Sequence, residues 1–338
     1  HNPNAAEDVI PLSVADMEFR NPPELAQGLK DYIDRSILGY TLPNDAFYQS
    51  VAHWMKNRHQ WDIKPEWLVQ APGVVNALFG IVKTFTEPGD GIIIMQPVYY
   101  PFSAAITQNG RELVNNALIY EDYAYRIDFD DLEKKAKDPK NKMLILCSPH
   151  NPIGRVWTRE ELEKVGRICI DNNVLVVSDE IHFDFILTGH KHTVFANISE
   201  EFAQHCIICT APSKTFNIAG LKISNIVIPN DHLRKQLLEK NQRDFASNAL
   251  GIQACRICYD DCGAWKDEML CMIEYNYQQV KKFVEEKLPQ IKVIELQGTY
   301  LLWLDCTALG LSDEELEKLT LGADLYLDEG YLFGPGGS

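Results

Sequence analysis

Several features common in other protein classes are missing from this chain. No stretch approaches the roughly 20 consecutive apolar residues of a bilayer span, so no segment reads as a membrane helix. The opening residues, HNPNAAEDVIPLSV, show no basic segment followed by an apolar core, so the sequence is not expected to be exported. Positive charge is scarce: 32 Lys and Arg stand against 48 Asp and Glu, for a formal charge of -16. That balance excludes non-specific attraction to nucleic-acid backbones or anionic lipid surfaces, and leaves only local basic pockets for small anions. Repeats and low-complexity tracts are absent. Cysteine is present in an odd number, nine, mostly in apolar settings such as CIICTAP and MLILCSP. There it acts as a small hydrophobe, which fits a reducing, cytoplasmic compartment.

What is present suits a globular enzyme. The 338 residues, 46% hydrophobic, are enough for a large core in one or two domains. Between about residues 69 and 228 short β-rich apolar runs lie at 91–97, 112–119, 142–149, 173–181, 206–213 and 223–230. Helical patterns at 76–86 and 158–172 separate them, and Thr158 with Glu161 forms a capping-box signature. Continuous apolar strands alternating with helices predict an α/β fold whose mostly parallel sheet is covered on both faces. A further helix is expected over 43–59, and a long broken one from 231 through 288. After KLPQ the pattern becomes strand, Gly turn, alternating strand and capped acidic helix, a smaller α+β unit. The expected division is 1–42 as a segment packing with the small unit, 43–250 as the large domain, and 251–338 as connecting helix and small domain.

In wound α/β sheets ligands sit beyond the carboxyl ends of the strands. Four such points carry polar residues: QPVYYPF, SPHNPIG, SDEIHFD and APSKTFN. Lys214 follows the strand CIICT and precedes FNIAGLK, so its amine can project into the crevice as a Schiff-base lysine; by itself it reads rather as a surface lysine at a strand end, and the other three strand ends shift that reading. Asp179 ends the strand VLVVS and wants a cationic partner, which a protonated pyridine nitrogen would provide, although capping a turn or binding Mg²⁺ are the other uses of such a carboxylate. Together the two favour a pyridoxal phosphate site. Asn151 lies in a turn set by Pro152 and Gly154, with an amide able to donate to a ring oxygen. Tyr99 and Tyr100 follow a strand and a proline, placed for stacking on a planar cofactor or lining a substrate channel. Gly73, Val74 and Val75 precede a helix whose free N–H groups can receive a phosphate, with Ser213 and Lys222 as additional partners.

Other signals read as structure. Cys206 and Cys209 form a CxxC, but Ile207 and Ile208 between them place both in a buried strand. Cys255, Cys258 and Cys262 recur at helical spacing without a fourth local ligand, so no metal site is expected. His190 and His192 flank Lys191 in a polar turn, where solvent contact is the expectation.

Together ADMEF, GYT, PGVVNAL, PVYYPF, NPIGRVW, SDEIH.DF and SKTFNIAGL resemble the fold-type I pyridoxal phosphate enzymes, within them the class I/II aminotransferase superfamily. The likeness is greatest to its carbon–sulfur β-lyase branch, the cystathionine β-lyases related to cystalysin, and covers essentially the whole chain. It implies a seven-stranded large domain, pyridoxal 5′-phosphate as cofactor, a small sulfur-containing amino acid as substrate, and a homodimer. By motif it implies Lys214 as the cofactor-bearing lysine, Asp179 at the pyridine nitrogen, Asn151 at the cofactor's O3′ and Tyr99 as the stacking ring. His182 stands where aspartate aminotransferases place a tyrosine, and Lys222 where they keep a phosphate-binding arginine. Tyr40 resembles the tyrosine that reaches the neighbouring subunit's phosphate, and Tyr100 is the implied proton donor to the leaving sulfur. β-Elimination to pyruvate, ammonia and a thiol is the implied reaction. The alternatives are an aminotransferase and, from a different class, a regulatory protein on the same scaffold. The family also carries an arginine near its C-terminus for the substrate carboxylate, yet the last arginine here is Arg256, and in the 82 residues after it 6 Lys face 7 Asp and 9 Glu. The expectation is therefore a cofactor-binding domain with an incomplete small domain and lowered turnover.

Overall fold

The computed structural model describes residues 12, 15–241, 244–246 and 248–338. The strands are β1 (Leu68–Ala71), β2 (Gly91–Ile94), β3 (Glu112–Asn115), β4 (Ile119–Glu121), β5 (Ala124–Arg126), β6 (Asn141–Cys147), β7 (Leu175–Asp179), β8 (Cys206–Thr210), β9 (Ser224–Val227), β10 (Lys292–Val293) and β11 (Leu304–Asp305). The helices are α1 (Pro23–Arg35), α2 (Asp45–His59), α3 (Val74–Phe85), α4 (Pro101–Thr107), α5 (Phe129–Ala136), α6 (Arg159–Asp171), α7 (Glu200–Gln204), α8 (Pro212–Thr215), α9 (Asp231–Asn241), α10 (Ala249–Asp261), α11 (Gly263–Lys287) and α12 (Asp313–Gly322).

Seven strands form one sheet in the order β1-β9-β8-β7-β6-β2-β3. The pairs from β8 through β3 run parallel, as the apolar runs predict, whereas β9 is antiparallel to both β8 and β1. Alternate residues of each strand enter different cores. Leu144 and Leu146 of β6 join Val176 and Ile208 on one face, while Met143, Ile145 and Cys147 join Val177 and Ile207 on the other. Burial on both faces is why these strands read as continuous apolar runs rather than as alternation. Because β9 is reversed, its first residue, Ser224, pairs with the last residue of β1, Ala71, and Asn225 pairs with Thr210 at the end of β8. The ends of β1, β7 and β8 and the beginning of β9 therefore share one rim.

Helix α6 starts as its sequence predicts: the Glu161 N–H donates to Thr158 Oγ1 at 3.2 Å and the Thr158 N–H to Glu161 Oε2 at 2.8 Å. Thr158→Ala is expected to lower stability by about 1 kcal/mol in chemical denaturation, with unchanged far-ultraviolet dichroism. Helix α1 lies on α10, where a Cβ on Gly28 would come within 2.6 Å of Ile257. The C-terminal unit pairs β10 with β11 and carries the expected capping box, Ser312 with Glu315, at the start of α12. Its second strand is shorter than the alternating pattern suggests. Gln297 and Gly298 donate their N–H groups to the Gly154 carbonyl at 3.0 and 2.9 Å, and Thr299 donates to the Phe185 carbonyl at 2.9 Å. Those donors thus serve the junction with the large sheet instead of a ladder.

Two sequence expectations outside the sheet rim have different outcomes. Cys206 and Cys209 are buried free thiols within β8, and burial pushes both well above the ordinary thiol range. His192 does not contact solvent as expected: its side chain is 3% exposed and Nε2 lies 2.8 Å from Glu180 Oε2. Glu180 sits fully buried behind β7, also accepting from Ser178 Oγ and the Phe195 N–H, so the buried carboxylate draws the imidazole inward.

Candidate active site

At the strand rim a cavity of about 290 Å³ opens. The helix start at Gly73–Asn76 closes one side, the β7 end with Asp179, Ile181 and His182 another, and Ser213, Lys214 and Lys222 a third. Tyr99, Cys147, Asn151 and Ala15 complete it. Of the residues singled out from sequence, Lys214, Asp179, Asn151, Tyr99, His182, Gly73, Val74, Val75, Ser213 and Lys222 all meet around this space.

Helix α8 is a single turn that follows β8 directly and carries Lys214 half-buried over the cavity. Nζ donates to the Ala15 carbonyl at 3.1 Å, and burial moves the amine below the usual lysine range while Asp16 and Asp179 oppose that shift. The next residue is anchored from behind: Thr215 Oγ1 donates to Asp184 Oδ2 at 2.7 Å. Asp184 also accepts from Trp54 Nε1 at 3.2 Å and from His59 Nε2 at 2.8 Å. Burial, the largest single influence, pushes Asp184 up, but the bond and charge of His59, the Lys266 charge and the Thr215 bond together hold its carboxyl below the ordinary range.

Asp179 is buried, accepts one N–H bond from Ile181 at 3.1 Å, and is pushed up to about 7 chiefly by burial. Beside it His182 is driven down to about 3 by burial and by Lys214, so its ring is neutral. Its Nδ1 and the Oδ1 of Asn151 are buried with no hydrogen-bond partner among the described residues. A buried polar atom without a partner costs on the order of 1–3 kcal/mol, so both are prepared for a group that supplies one. Burial, then Asp179, raises the Tyr99 phenol, which stays protonated over the physiological range.

Gly73 caps α3 with φ +108°, a conformation that L side chains rarely adopt, and a Cβ there would meet nothing within 4 Å. The helix therefore presents its first-turn N–H groups, those of Val74 and Val75, toward the cavity. Lys222 follows in the left-handed region, φ 45°, just before the reversed strand β9.

Two of the expected residues stand apart. Tyr100 caps α4 outside the cavity lining, 44% exposed, with its ring 5.6 Å from Tyr99 and 5.8 Å from Phe333. Tyr40 is fully exposed, away from the cavity. Other contributors were not legible. Tyr300 Oη donates to the Ala15 carbonyl at 2.5 Å, and Asn217 grips the same segment, donating to the Met17 carbonyl at 2.7 Å and accepting from its N–H at 3.1 Å. Only the ADMEF motif points to that segment, and it says nothing of these partners.

The family model for aminotransferases of class I and II matches residues 7–336. The chain belongs to that family. Among curated relatives of this aminotransferase-family chain, cystathionine β-lyase PatB of Bacillus subtilis is 45% identical over 333 residues, 98% of this chain and 86% of the relative. The crystal structure of cystalysin from Treponema denticola, which contains a pyridoxal 5′-phosphate cofactor, superposes with a TM-score of 0.97 at 47% identity, covering 99% of this chain and 86% of that one. The pyridoxal-phosphate-bound C–S lyase of Staphylococcus hominis gives 0.92 at 31% identity, covering 98% and 85%. The fold-type I architecture, a seven-stranded large domain with a smaller α+β unit, is thereby that of this family.

Proposed function

We propose that this chain is a pyridoxal 5′-phosphate-dependent carbon–sulfur β-lyase that cleaves cystathionine or related cysteine-type amino acids to pyruvate, ammonia and a thiol. The observation that carries the reading is the convergence of Lys214 and Asp179 on one cavity that also holds two unpartnered buried polar atoms. The cofactor fits those residues. A protonated ring nitrogen would give Asp179 the cation that burial demands, and a ring hydroxyl could donate to Asn151 Oδ1 or accept from the Asn151 amide N–H and the His182 imidazole. Tyr99 would stack on the ring, and the Val74–Val75 helix start with Ser213 and Lys222 would hold the phosphate, Lys222 giving the local positive charge that the acidic chain otherwise lacks. When bound, pyridoxal phosphate supplies an electron sink for charge left on the substrate's α carbon.

The residues of the chain do the rest. Lys214, whose amine burial moves below the usual lysine range, would hold the cofactor covalently and, once freed, would take the substrate's α proton at Nζ. Asp179 keeps the proton on the ring nitrogen. As the β carbon–sulfur bond breaks, Tyr100 would give its phenolic proton to the departing sulfur, and water would hydrolyse the released enamine to pyruvate and ammonia. Tyr99, kept protonated, orients the cofactor without competing for that transfer.

The decisive assay omits keto acid. Pyruvate and free thiol from cystathionine in equal amounts support the lyase; amino-acid consumption only after keto acid is added, or no pyruvate at all, overturns it in favour of the aminotransferase. The cytoplasm suits an enzyme with free thiols at all nine cysteines.

The acting form is a homodimer, with Tyr40 reaching the partner's cofactor phosphate. Segment 37–42 supports this: Ile37 is 93% and Leu42 87% exposed, beside exposed Leu38 and Tyr40, an apolar run that a second copy would cover. Ile37→Lys with Leu42→Lys is expected to shift the sedimenting species from dimer to monomer. Tyr40→Phe should leave the dimer intact and weaken cofactor affinity about fivefold to tenfold, the worth of one hydrogen bond.

A further inference from the structure

A second cavity, of about 320 Å³, lies behind the Lys214 turn, between the end of α2, the loop 183–192 and the start of α11. It has no part in the reaction above. In a chain of formal charge -16 its lining carries Arg58, Lys191 and Lys266 together with His190, while His59 and His192 are bound to the buried carboxylates of Asp184, which lines it, and Glu180 behind it. The Asp184 carboxylate accepts from His59, Trp54 and Thr215 and also feels the Lys266 charge.

Lys266 is the telling residue. It is 8% exposed, a rare burial for a lysine, and among the described residues the one carboxylate in ion-pair reach is Asp267, at 3.5 Å. Asp267 is not free to neutralise it, because both its oxygens accept from Arg58 Nη1 at 2.9 Å. Two cations thus share Asp267, and the Lys266 ammonium, with three donors, has one hydrogen-bond contact, at 3.5 Å, besides the charge of the more distant Asp184. Lys191 adds an exposed charge at the rim.

We infer that this cavity is a binding site for a small multivalent oxyanion of the phosphate class, held by Lys266, Lys191 and Arg58. Its volume exceeds what a single phosphate fills and lies at the lower end of small-ligand sites, which suits a diphosphate-sized ligand.

The test uses protein saturated with pyridoxal 5′-phosphate, so that the cofactor's own phosphate fills the Gly73–Val75 cradle. Pyrophosphate is titrated calorimetrically, and melting is followed in pyrophosphate against sodium chloride of equal ionic strength. The expected result is one site per chain with a dissociation constant below about 1 mM and a melting temperature raised over the chloride control. Lys191→Glu, on an exposed loop, should weaken binding at least fivefold, and Lys266→Met should abolish it. If Lys266→Met does not fold, the surface variant decides. Equal melting in the two salts, or a Lys191→Glu protein that binds pyrophosphate unchanged, overturns the assignment.

Discussion

Lys214→Ala is expected to lower β-elimination by roughly 10³-fold or more and to remove covalent attachment of the cofactor. The residue serves twice, as the amine that carries the cofactor and as the base at the α carbon, so its loss removes two functions that no neighbour replaces. The other lysine lining the cavity, Lys222, follows a 3₁₀ turn on the phosphate side and has an exposed side chain. The sharpest measurement is borohydride reduction followed by peptide mass analysis. Wild-type protein should carry the reduced cofactor on the peptide containing Lys214, and the variant on none. A label on Lys222 instead would reassign the chemistry. Fold loss is not expected, because the amine's bond is to the Ala15 carbonyl and the turn is held by Thr215 and Asp184.

Asp179→Asn should change stability and cofactor binding in opposite directions. In the unfolded chain the carboxyl titrates near 3.8, and in the folded cofactor-free protein near about 7. The folded form therefore keeps a proton that the unfolded form has released, and the stabilisation from this group is full below about pH 4 and lost as pH rises through 7. His182 works the other way: its folded value of about 3 lies below 6.5, so its contribution is full at neutral pH and declines on acidification. Comparing Asp179→Asn with wild type cancels the histidine. At pH 4 the two cofactor-free proteins should melt alike, and at pH 8 the variant should be more stable by on the order of 1–4 kcal/mol. The same variant should bind pyridoxal phosphate at least tenfold more weakly and eliminate at least 10²-fold more slowly, since an amide cannot hold the ring nitrogen's proton by charge. Equal stability at pH 8, or undiminished cofactor affinity, would contradict the role given to this residue.

The sequence made the sheet legible because strands buried on both faces need uninterrupted apolar runs, and the rim residues legible because they follow those runs. Asp179 ends a strand, and Asn151, Tyr99 and Lys214 follow one closely, so a rule about strand ends finds them. Lys222 breaks the rule: it precedes β9 and reaches the rim only because that strand is reversed, which no local pattern reveals. The polar cluster of His59, Trp54 and Asp184 escaped notice for a related reason. Its members are 125 and 130 residues apart and have nothing unusual in their own neighbourhoods. His192 looked like a solvated turn residue because its partner, Glu180, sits behind a strand end, where the sequence suggests only another polar loop residue.

The bonds that converge on the Ala15 carbonyl bear on the order in which the molecule assembles. One comes from Lys214, 199 positions away, and the other from Tyr300, 285 positions away. Closing loops of that length is entropically slow and gives no reward until both ends arrive. The enclosure around the lysine is thus among the last parts of the chain to form, after the sheet that carries it. Pyridoxal phosphate added during refolding should therefore leave the early kinetic phases unchanged and act only on the final one, by slowing the reopening of the finished molecule.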